Sequence, residues 1–207
     1  YNLQWQLPDA KEWHTTIGVN GMRQSNQNKG EEALIPEYSL FDIGGFLFVQ
    51  RSFKKTTVSG GLRYDTRKIN SKEYEEGGDI KFEKFSRTFS NFSGSAGVSF
   101  EASDAITLKA NIARGFRSPT LAELASNGAH EGTNRYEYGQ RDLTSETSLQ
   151  FDAGLNFNYE HFSIDVSAFH NSINDFIFYR KLEAIGGGDS LVLNDGELIQ
   201  AFKFNQH

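Results

Sequence analysis

The chain has 207 residues, a net charge of −6 and no cysteine. The negative charge argues against a nucleic-acid-binding surface, and the lack of cysteine excludes disulfide bonds and a Cys-based zinc site. The longest apolar run, residues 46–49, is far too short for a transmembrane helix. The mean hydropathy of −0.54 is typical of a soluble protein. However, a transmembrane β-strand exposes only alternate residues to lipid, so bulk hydropathy does not detect it.

Alternation of apolar residues with small or polar ones recurs along the chain and predicts nine antiparallel strands. Their approximate bounds are 1–7, 13–23, 39–51, 54–66, 90–101, 105–115, 147–159, 162–182 and 198–207. The connections also alternate in length. Those at 52–53, 102–104 and 160–161 are tight, whereas 24–38, 66–89, 116–146 and 183–197 are long and polar. Short turns on one side and long loops on the other are typical of outer-membrane β-barrels, whose periplasmic turns are short and extracellular loops long.

Two strands carry aromatic residues eight positions apart on one face, Phe92 with Phe100 and Phe151 with Tyr159. The same-face residues between them are small or apolar, and the other face is polar. Eight residues of strand span about 26 Å, which is about 19 Å along a barrel axis at a tilt near 45°. An apolar band edged by aromatic rings is typical of the lipid-facing surface of a membrane barrel.

The tight turns predict the register of two hairpins, because same-face partners should match in character. In the first hairpin, we expect the pairs Phe41–Tyr64, Ile43–Leu62, Gly45–Gly60 and Leu47–Val58. In the hairpin around 160–161, we expect the pairs Tyr159–Phe162, Phe157–Ile164 and Leu155–Val166.

The odd strand count predicts that the sheet is incomplete. Bacterial single-chain barrels have an even number of strands, and nothing caps the first and last predicted strands. We therefore expect residues 1–207 to be one partial transmembrane barrel domain, a fragment of about nine strands from a larger antiparallel up-and-down barrel.

The segment 113–157 carries a specific pattern. Its first part is Gly115-Phe116-Arg117-Ser118-Pro119; Gly139, Leu143, Glu146 and Gly154 follow. This pattern resembles the C-terminal barrel half of TonB-dependent outer-membrane receptors, which have a G-F-R-x-P turn, a G-N-P-x-L-x-P-E motif and a strand with E-x-G. This chain departs from those motifs at Gln140-Arg141, Ser145 and Asp152. A second likeness, to a y-x-n-x-I-x-d-y-I strand of the family, lies at 170–177.

The resemblance implies a 22-stranded barrel in the outer membrane, with an N-terminal plug domain that this chain does not contain. It implies receptor-mediated uptake of a scarce ligand, such as an iron-siderophore, another metal or a metal chelate. The implied partners are outer-membrane lipid, an extracellular small-molecule or metal-chelate ligand, and TonB, which would act through the missing N-terminal region. No cofactor and no nucleic-acid partner is expected.

The longest predicted loop carries adjacent His130 and Glu131 in the segment 127–132. Histidine and carboxylate side chains ligate zinc and other divalent metals, but a site needs three or four ligands. The segment also resembles an N-G-x-H loop in metal-uptake receptors of the family. The alternative is a polar loop with an incidental histidine.

Arg117, Glu123 and Glu146 flank the same loop, and Arg117 and Glu146 are candidate ligand contacts together with His130 and Glu131. The alternative is that they anchor the loop. Arg117 would then pair with a carboxylate, and residues 118–123 would start a short helix with Pro119 in its first turn.

Two other functional classes compete with the transport receptor. One is a soluble β-sandwich ligand-binding module, and the other is a β-rich secreted enzyme such as a glycosidase. We find no catalytic motif and no carboxylate pair that the pattern places across a cleft, so we predict no catalytic residues and no enzymatic activity.

Overall fold

A computed structural model describes residues 1–9, 11–29 and 33–207. The described chain is almost entirely β-structure, with one short α-helix, α1 (Leu121–Ala125), and a 3-10 turn at Glu131–Thr133. The strands are β1 (Asn2–Gln6), β2 (Trp13–Asn26), β3 (Tyr38–Phe53), β4 (Thr56–Ser71), β5 (Tyr74–Glu76), β6 (Asp79–Phe82), β7 (Ser86–Glu101), β8 (Ile106–Arg117), β9 (Asn127–His130), β10 (Arg135–Tyr138), β11 (Glu146–Tyr159), β12 (Phe162–Asn174), β13 (Ile177–Lys181), β14 (Leu191–Asn194) and β15 (Glu197–Gln206). Within the described ranges, no helix is long and apolar enough to cross a membrane.

Eight long strands form one antiparallel sheet in the order β1-β2-β3-β4-β7-β8-β11-β12. Each strand pairs with the next long strand along the chain, so the sheet has the predicted up-and-down topology. The sheet is open, and every residue of its two edge strands, β1 and β12, is solvent-exposed. The predicted fold class is confirmed as an open portion of an antiparallel barrel wall.

The two faces of this sheet differ as the alternation predicts. On the outward face, Leu155 pairs with Leu108 on one side and Val166 on the other. The aromatic residues at the ends of the band remain exposed, with Phe92 at 55% and Tyr159 at 60%. The inward face carries charged side chains that pair with one another, as described below.

The predicted register is confirmed in one hairpin and wrong in the other. Tyr159 pairs with Phe162, and the pairs Phe157–Ile164 and Leu155–Val166 follow. In the first hairpin, the structure has the pairs Phe41–Lys68, Ile43–Thr66, Gly45–Tyr64 and Leu47–Leu62. The physical reason is the position of the turn, which lies at Lys54-Lys55 with Lys54 in the left-handed region (φ 46°). The predicted turn at 52–53 was two residues too early, which shifts every pair by four.

The predicted strand 162–182 is two strands in the structure. β12 ends at Asn174, and the chain turns at Asp175, whose φ is 56°. β13 then joins a second sheet of order β13-β15-β10-β9, where β15 pairs with β10 in parallel and with β13 and β14 in antiparallel. The ninth predicted strand, 198–207, is therefore present as β15 but does not belong to the barrel sheet.

The predicted long loops carry structure of their own. β5 and β6 form a hairpin, and the loop after β8 contains α1, β9 and β10. The base of this loop encloses the main hydrophobic core, which joins loop residues to inward-facing residues of the strand ends. Its buried members are Leu40, Ile69, Phe89, Leu121, Leu124, Leu143 and Ile177. The core therefore lies at the loop end of the sheet and holds the loop over the inward face.

Candidate ligand-entry site

Arg117 and Glu146 are opposite each other at the loop end of the sheet, as the last residue of β8 and the first residue of β11. The Arg117 guanidinium donates from Nε to Oε2 of Glu146 at 2.6 Å and from Nη2 to Oε1 at 2.7 Å. Arg117 Nη1 also donates to both carboxylate oxygens of Glu123 at 2.8 Å. All three guanidinium nitrogens of Arg117 are therefore engaged by carboxylates, in the bidentate geometry that makes such pairs strong.

Glu146 links this pair to a third element. Its side chain is only 10% exposed, and it also accepts a hydrogen bond from the backbone N–H of Ile177, the first residue of β13. The hydrogen bonds from Arg117 hold the pKa of the Glu146 carboxyl below its usual value; burial opposes this effect, and the Ile177 N–H adds to it. The carboxylate is therefore stabilised in its charged form at the junction of β8, β11 and β13.

Glu123 also caps α1. The Thr120 side chain accepts from the Glu123 backbone N–H at 3.3 Å, and the Glu123 carboxylate accepts from the Thr120 N–H at 2.7 Å. This reciprocal arrangement is a capping box. The short helix is as predicted, but Pro119 precedes the N-cap and does not lie in the first turn as expected, because Thr120 supplies the cap.

The motif residues Gly139 and Leu143 have packing roles. A Cβ on Gly139 would lie 2.6 Å from the Leu124 carbonyl carbon and closer still to the Ala125 nitrogen, so only glycine fits against the end of α1. Leu143 is fully buried in the core. The geometry thus favours the anchoring interpretation for this segment, while ligand contact by Arg117 or Glu146 stays a prediction.

Further hydrogen bonds join the loop to the strands below it. Arg87 Nη2 donates to the Leu143 carbonyl at 2.9 Å, and Asn91 donates to Ser145 Oγ at 2.9 Å. The Gln206 side chain accepts from the Thr144 backbone N–H and donates to its carbonyl, both at 2.9 Å. These contacts fix the second half of the loop, and no local pattern in the sequence indicates them, since the partners lie more than fifty residues away.

The inward face carries a network of paired charges. Arg67 makes a bidentate ion pair with Asp42, its register partner on β3, at 2.8 and 2.7 Å. Arg63 donates from Nε to Asp65 at 2.6 Å and also contacts Asn20. These residues and Arg117 line a cavity of about 750 Å³ on the concave side of the sheet. The sequence predicted a polar face here but not these pairs.

His130 lies at the end of β9, where it pairs with Arg135. Its Nδ1 is 2.9 Å from Thr133 Oγ1. His130 lines a second cavity of about 820 Å³ that four loop segments form together. Its other lining residues include Glu76, Asp79, Lys81, Tyr136, Leu193 and Asp195. The structure thus places His130 in a loop-side cavity. Two of the other lining residues, Leu193 and Asp195, lie more than 60 residues away from it in the sequence.

The proposed metal pair is only partly described. The side chain of Glu131 lies outside the described part of the structure, although its backbone belongs to the 3-10 turn. Among the side chains that are described, no three His, Cys, Asp or Glu residues are close enough to hold a metal ion. Metal binding by His130 and Glu131 therefore stays a prediction.

Three solved structures show the same fold. The hemophore receptor HasR of Serratia marcescens, a double mutant solved with its hemophore HasA and heme, has 15% identity and a TM-score of 0.74 over 99% of this chain and 36% of its own. The copper transporter OprC has 18% identity and a TM-score of 0.69 over 96% of this chain and 32% of its own. The FrpB iron transporter of Neisseria meningitidis, in its apoprotein form, has 17% identity and a TM-score of 0.62 over 85% and 29%.

This chain therefore spans about a third of the length of the solved structures that it matches. The profile of the family described as "TonB dependent receptor-like, beta-barrel" matches residues 1–201. The match agrees with the up-and-down sheet, its exposed apolar band and the Gly115–Glu146 pattern. The chain belongs to the β-barrel family of TonB-dependent receptors, transport receptors of the outer membrane of Gram-negative bacteria.

Proposed function

We propose that this chain forms part of the barrel wall of a receptor for TonB-energised uptake of a scarce ligand. The ligand class is an iron-siderophore, another metal, or a metal chelate such as heme. Family membership over residues 1–201 carries this proposal. The named solved structures include receptors or transporters for heme with its hemophore, copper and iron, which supports the ligand class. Uptake and not catalysis is the proposed activity.

The domain organisation follows from the same proposal. Residues 1–207 form one partial barrel domain, and a plug domain and a TonB-interacting segment belong to the remainder of the receptor. An open sheet has two unpaired edges, and closure by neighbouring strands removes them. The fully exposed strands β1 and β12 are where those neighbours would join.

The two cavities support a route for the ligand. The loop-side cavity of about 820 Å³ and the concave-side cavity of about 750 Å³ have the size of small-molecule sites. In the proposal, a ligand first meets the surface around His130 and Tyr136 and then passes along the polar inward face. The loop after β8 contributes residues to both cavities, and the Arg117–Glu146 pair closes its base.

The soluble β-sandwich alternative is not favoured. A sandwich buries the apolar faces of two sheets against each other, whereas Leu155 and its outward neighbours here are exposed. The main core lies on the opposite face, under the loop.

Uptake in cells tests the proposal. The intact receptor would be expressed in a Gram-negative strain that lacks its own iron receptors, and the uptake of radioactive iron presented as heme or as a siderophore complex would be measured. We expect uptake of one such complex that requires both the receptor gene and TonB. Uptake that is equal with and without TonB would contradict the proposed mechanism.

A further inference from the structure

His130 and Thr133 make two hydrogen bonds with each other at the tip of the β9–β10 hairpin. The Thr133 hydroxyl donates to the His130 backbone carbonyl at 3.3 Å, and His130 Nδ1 lies 2.9 Å from the same Oγ1. A hydroxyl has a single hydrogen. With that hydrogen on the carbonyl, Oγ1 is the acceptor and the Nδ1–H group is the donor. The opposite assignment, with Nδ1 as the acceptor, would lose the bond to the carbonyl. The geometry therefore favours the imidazole tautomer whose lone pair is on Nε2.

The local backbone accounts for this contact. β9 ends at His130, and the 3-10 turn Glu131–Thr133 follows it directly. Asn134, in the left-handed region with φ 47°, then returns the chain to β10. Residues three apart lie on the same side of a 3-10 turn, which brings Thr133 next to His130. Threonine is β-branched and has few χ1 rotamers, so its hydroxyl is held with little freedom.

The strand that carries His130 is itself held from several directions. The Asn127 backbone N–H donates to the Leu34 carbonyl, and its side-chain amide donates to the Lys81 carbonyl, both at 3.0 Å. The Tyr136 hydroxyl donates to Asn127 Oδ1 at 3.1 Å. These bonds connect β9 to the segment before β3, to β6 and to β10. A side chain on a strand held in this way can present one ring nitrogen in a defined direction.

The loop-side cavity beside His130 has the size of a site for an organic ligand, at about 820 Å³. Apolar side chains from three of its four loop segments contribute to the wall: Ala33, Leu34, Ile80, Val192 and Leu193. A metal chelate matches this combination, because its organic part can contact the apolar residues while its metal centre meets the imidazole.

The His130–Thr133 contact has the chemistry of a metal-ligating histidine. Neutral imidazole is the commonest metal ligand among side chains, and the hydrogen bond of one ring nitrogen decides which nitrogen binds the metal. Histidines that ligate metals almost always donate their other ring N–H to an acceptor, which fixes the tautomer and the orientation of the ring. Thr133 Oγ1 is such an acceptor for Nδ1.

We propose that Thr133 is a positioning residue for His130. It holds the Nδ1–H group and leaves Nε2 to coordinate the metal centre of a chelate that has an open coordination position. This role rests on the proposed function and on the ligand contact predicted for His130. It predicts that the Thr133 hydroxyl controls metal coordination by a side chain other than its own.

The test measures binding of copper(II) iminodiacetate, a chelate with open positions on the metal, to the intact, detergent-solubilised receptor. Thr133→Val removes the hydroxyl at nearly constant shape, and Thr133→Ser keeps the hydroxyl. His130→Ala identifies the part of the binding that depends on His130. Pulsed electron paramagnetic resonance then detects the ring nitrogen of His130 that is remote from copper, whose signal depends on its hydrogen bond. Limited proteolysis of segment 118–145 shows whether each loop keeps its structure.

We expect His130→Ala to remove one binding site. Thr133→Val should weaken that site about 10- to 100-fold, the usual effect of losing the partner of a metal-ligating histidine. It should also change the remote-nitrogen signal while the protease resistance of the loop stays the same. Thr133→Ser should restore both the affinity and the signal.

Each contrary result has a separate meaning. Equal binding by wild type and His130→Ala would overturn the proposal together with the predicted His130 contact. A site that depends on His130 but is unchanged in Thr133→Val would overturn the role of Thr133 alone. Weaker binding in Thr133→Val with an unaltered remote-nitrogen signal would also overturn it, because the effect would then come from the fold of the turn.

Discussion

Arg117 and Glu146 form a bidentate ion pair, at 2.6 and 2.7 Å, that closes the base of the loop between β8 and β11. The same carboxylate accepts from the first backbone N–H of β13. One side-chain pair therefore links β8 and β11 of the eight-stranded sheet with β13 of the second sheet. The same pair brings together the two ends of the Gly115–Glu146 pattern.

Arg117→Ala is expected to loosen the loop without preventing barrel assembly. The variant leaves the mostly buried Glu146 carboxylate without its partner. Because Arg117 itself is partly exposed, we expect a cost of about 1–3 kcal/mol, below the full value for a buried pair. Limited proteolysis of segment 118–145 measures the effect. Arg180→Ala, at an exposed arginine of β13, is the control, and equal protease sensitivity of the two variants would count against the anchoring role.

Acid is expected to release the same anchor. Glu146 begins β11 well before Phe151, the first ring of the band, and lies outside the apolar segment. Its pKa is lowered in the folded state, so the stabilisation is present above the unfolded value near 4.3 and is lost as pH falls through the folded pKa.

Hydrogen exchange of the Ile177 amide between pH 7 and pH 3 measures this loss. The wild-type protein should show protection that declines in the acidic range. Glu146→Gln should begin with weaker protection and change less with pH. A pH profile shared by both proteins would assign the acid effect to other carboxylates.

Gly139→Ala is expected to destabilise the loop, because the added Cβ meets the backbone at the end of α1. Overpacking of this kind costs about 1–3 kcal/mol. Gly132→Ala is the matched control, since its Cβ would meet nothing within 4 Å. Thermal unfolding of the loop, monitored by its accessibility to protease, should occur at a lower temperature in Gly139→Ala than in Gly132→Ala. If the loop of Gly139→Ala were as resistant to protease as the loop of Gly132→Ala, this result would contradict the close packing of Gly139 against α1.

Leu155→Arg is expected to block assembly of the intact receptor, whereas Asn156→Arg should not. Leu155 is outward between Leu108 and Val166, and an arginine at the midplane of the lipid-facing surface costs about 2–4 kcal/mol. Asn156 is inward and contacts Asp165, so an arginine there gains a partner. Folded yield, read from heat-modifiable migration, distinguishes the two variants, and equal yields would contradict the assignment of the faces.

His130→Ala tests the proposed metal or chelate contact. We expect weaker uptake at limiting metal with unchanged barrel assembly, because His130 lines the loop-side cavity and contributes little to the core. His161→Ala, at the tight turn after β11, is the control. Uptake rates that match wild type at limiting metal would return His130 to the role of an incidental loop histidine.

The sequence predicts the sheet well wherever period-two alternation and a tight turn act together. The hairpin at Glu160-His161 has the predicted register because both signals agree. Alternation alone is unchanged by a shift of two or four residues. It therefore could not determine the β3–β4 register, and a turn placed at 52–53 instead of Lys54-Lys55 gave the wrong pairs.

The site was predictable only in its local parts. The helix start at Thr120 and Glu123 follows a capping pattern that can be read from the sequence. The contact between Glu146 and the Ile177 N–H and the parallel pairing of β10 with β15 join distant segments with no shared periodicity. Short polar loop strands such as β9 carry no alternation that would distinguish them from irregular loop.

Labelling of single cysteines in intact cells tests most directly whether this sheet crosses the outer membrane with its long loops outside. The described chain has no cysteine of its own, so Gly132→Cys in the loop after β8 and Lys55→Cys in the turn after β3 each provide one site in this segment. We predict that a membrane-impermeant maleimide labels Gly132→Cys in intact cells and labels Lys55→Cys only after the outer membrane is permeabilised. Labelling of Lys55→Cys from outside, with Gly132→Cys protected or equally labelled, would contradict the account.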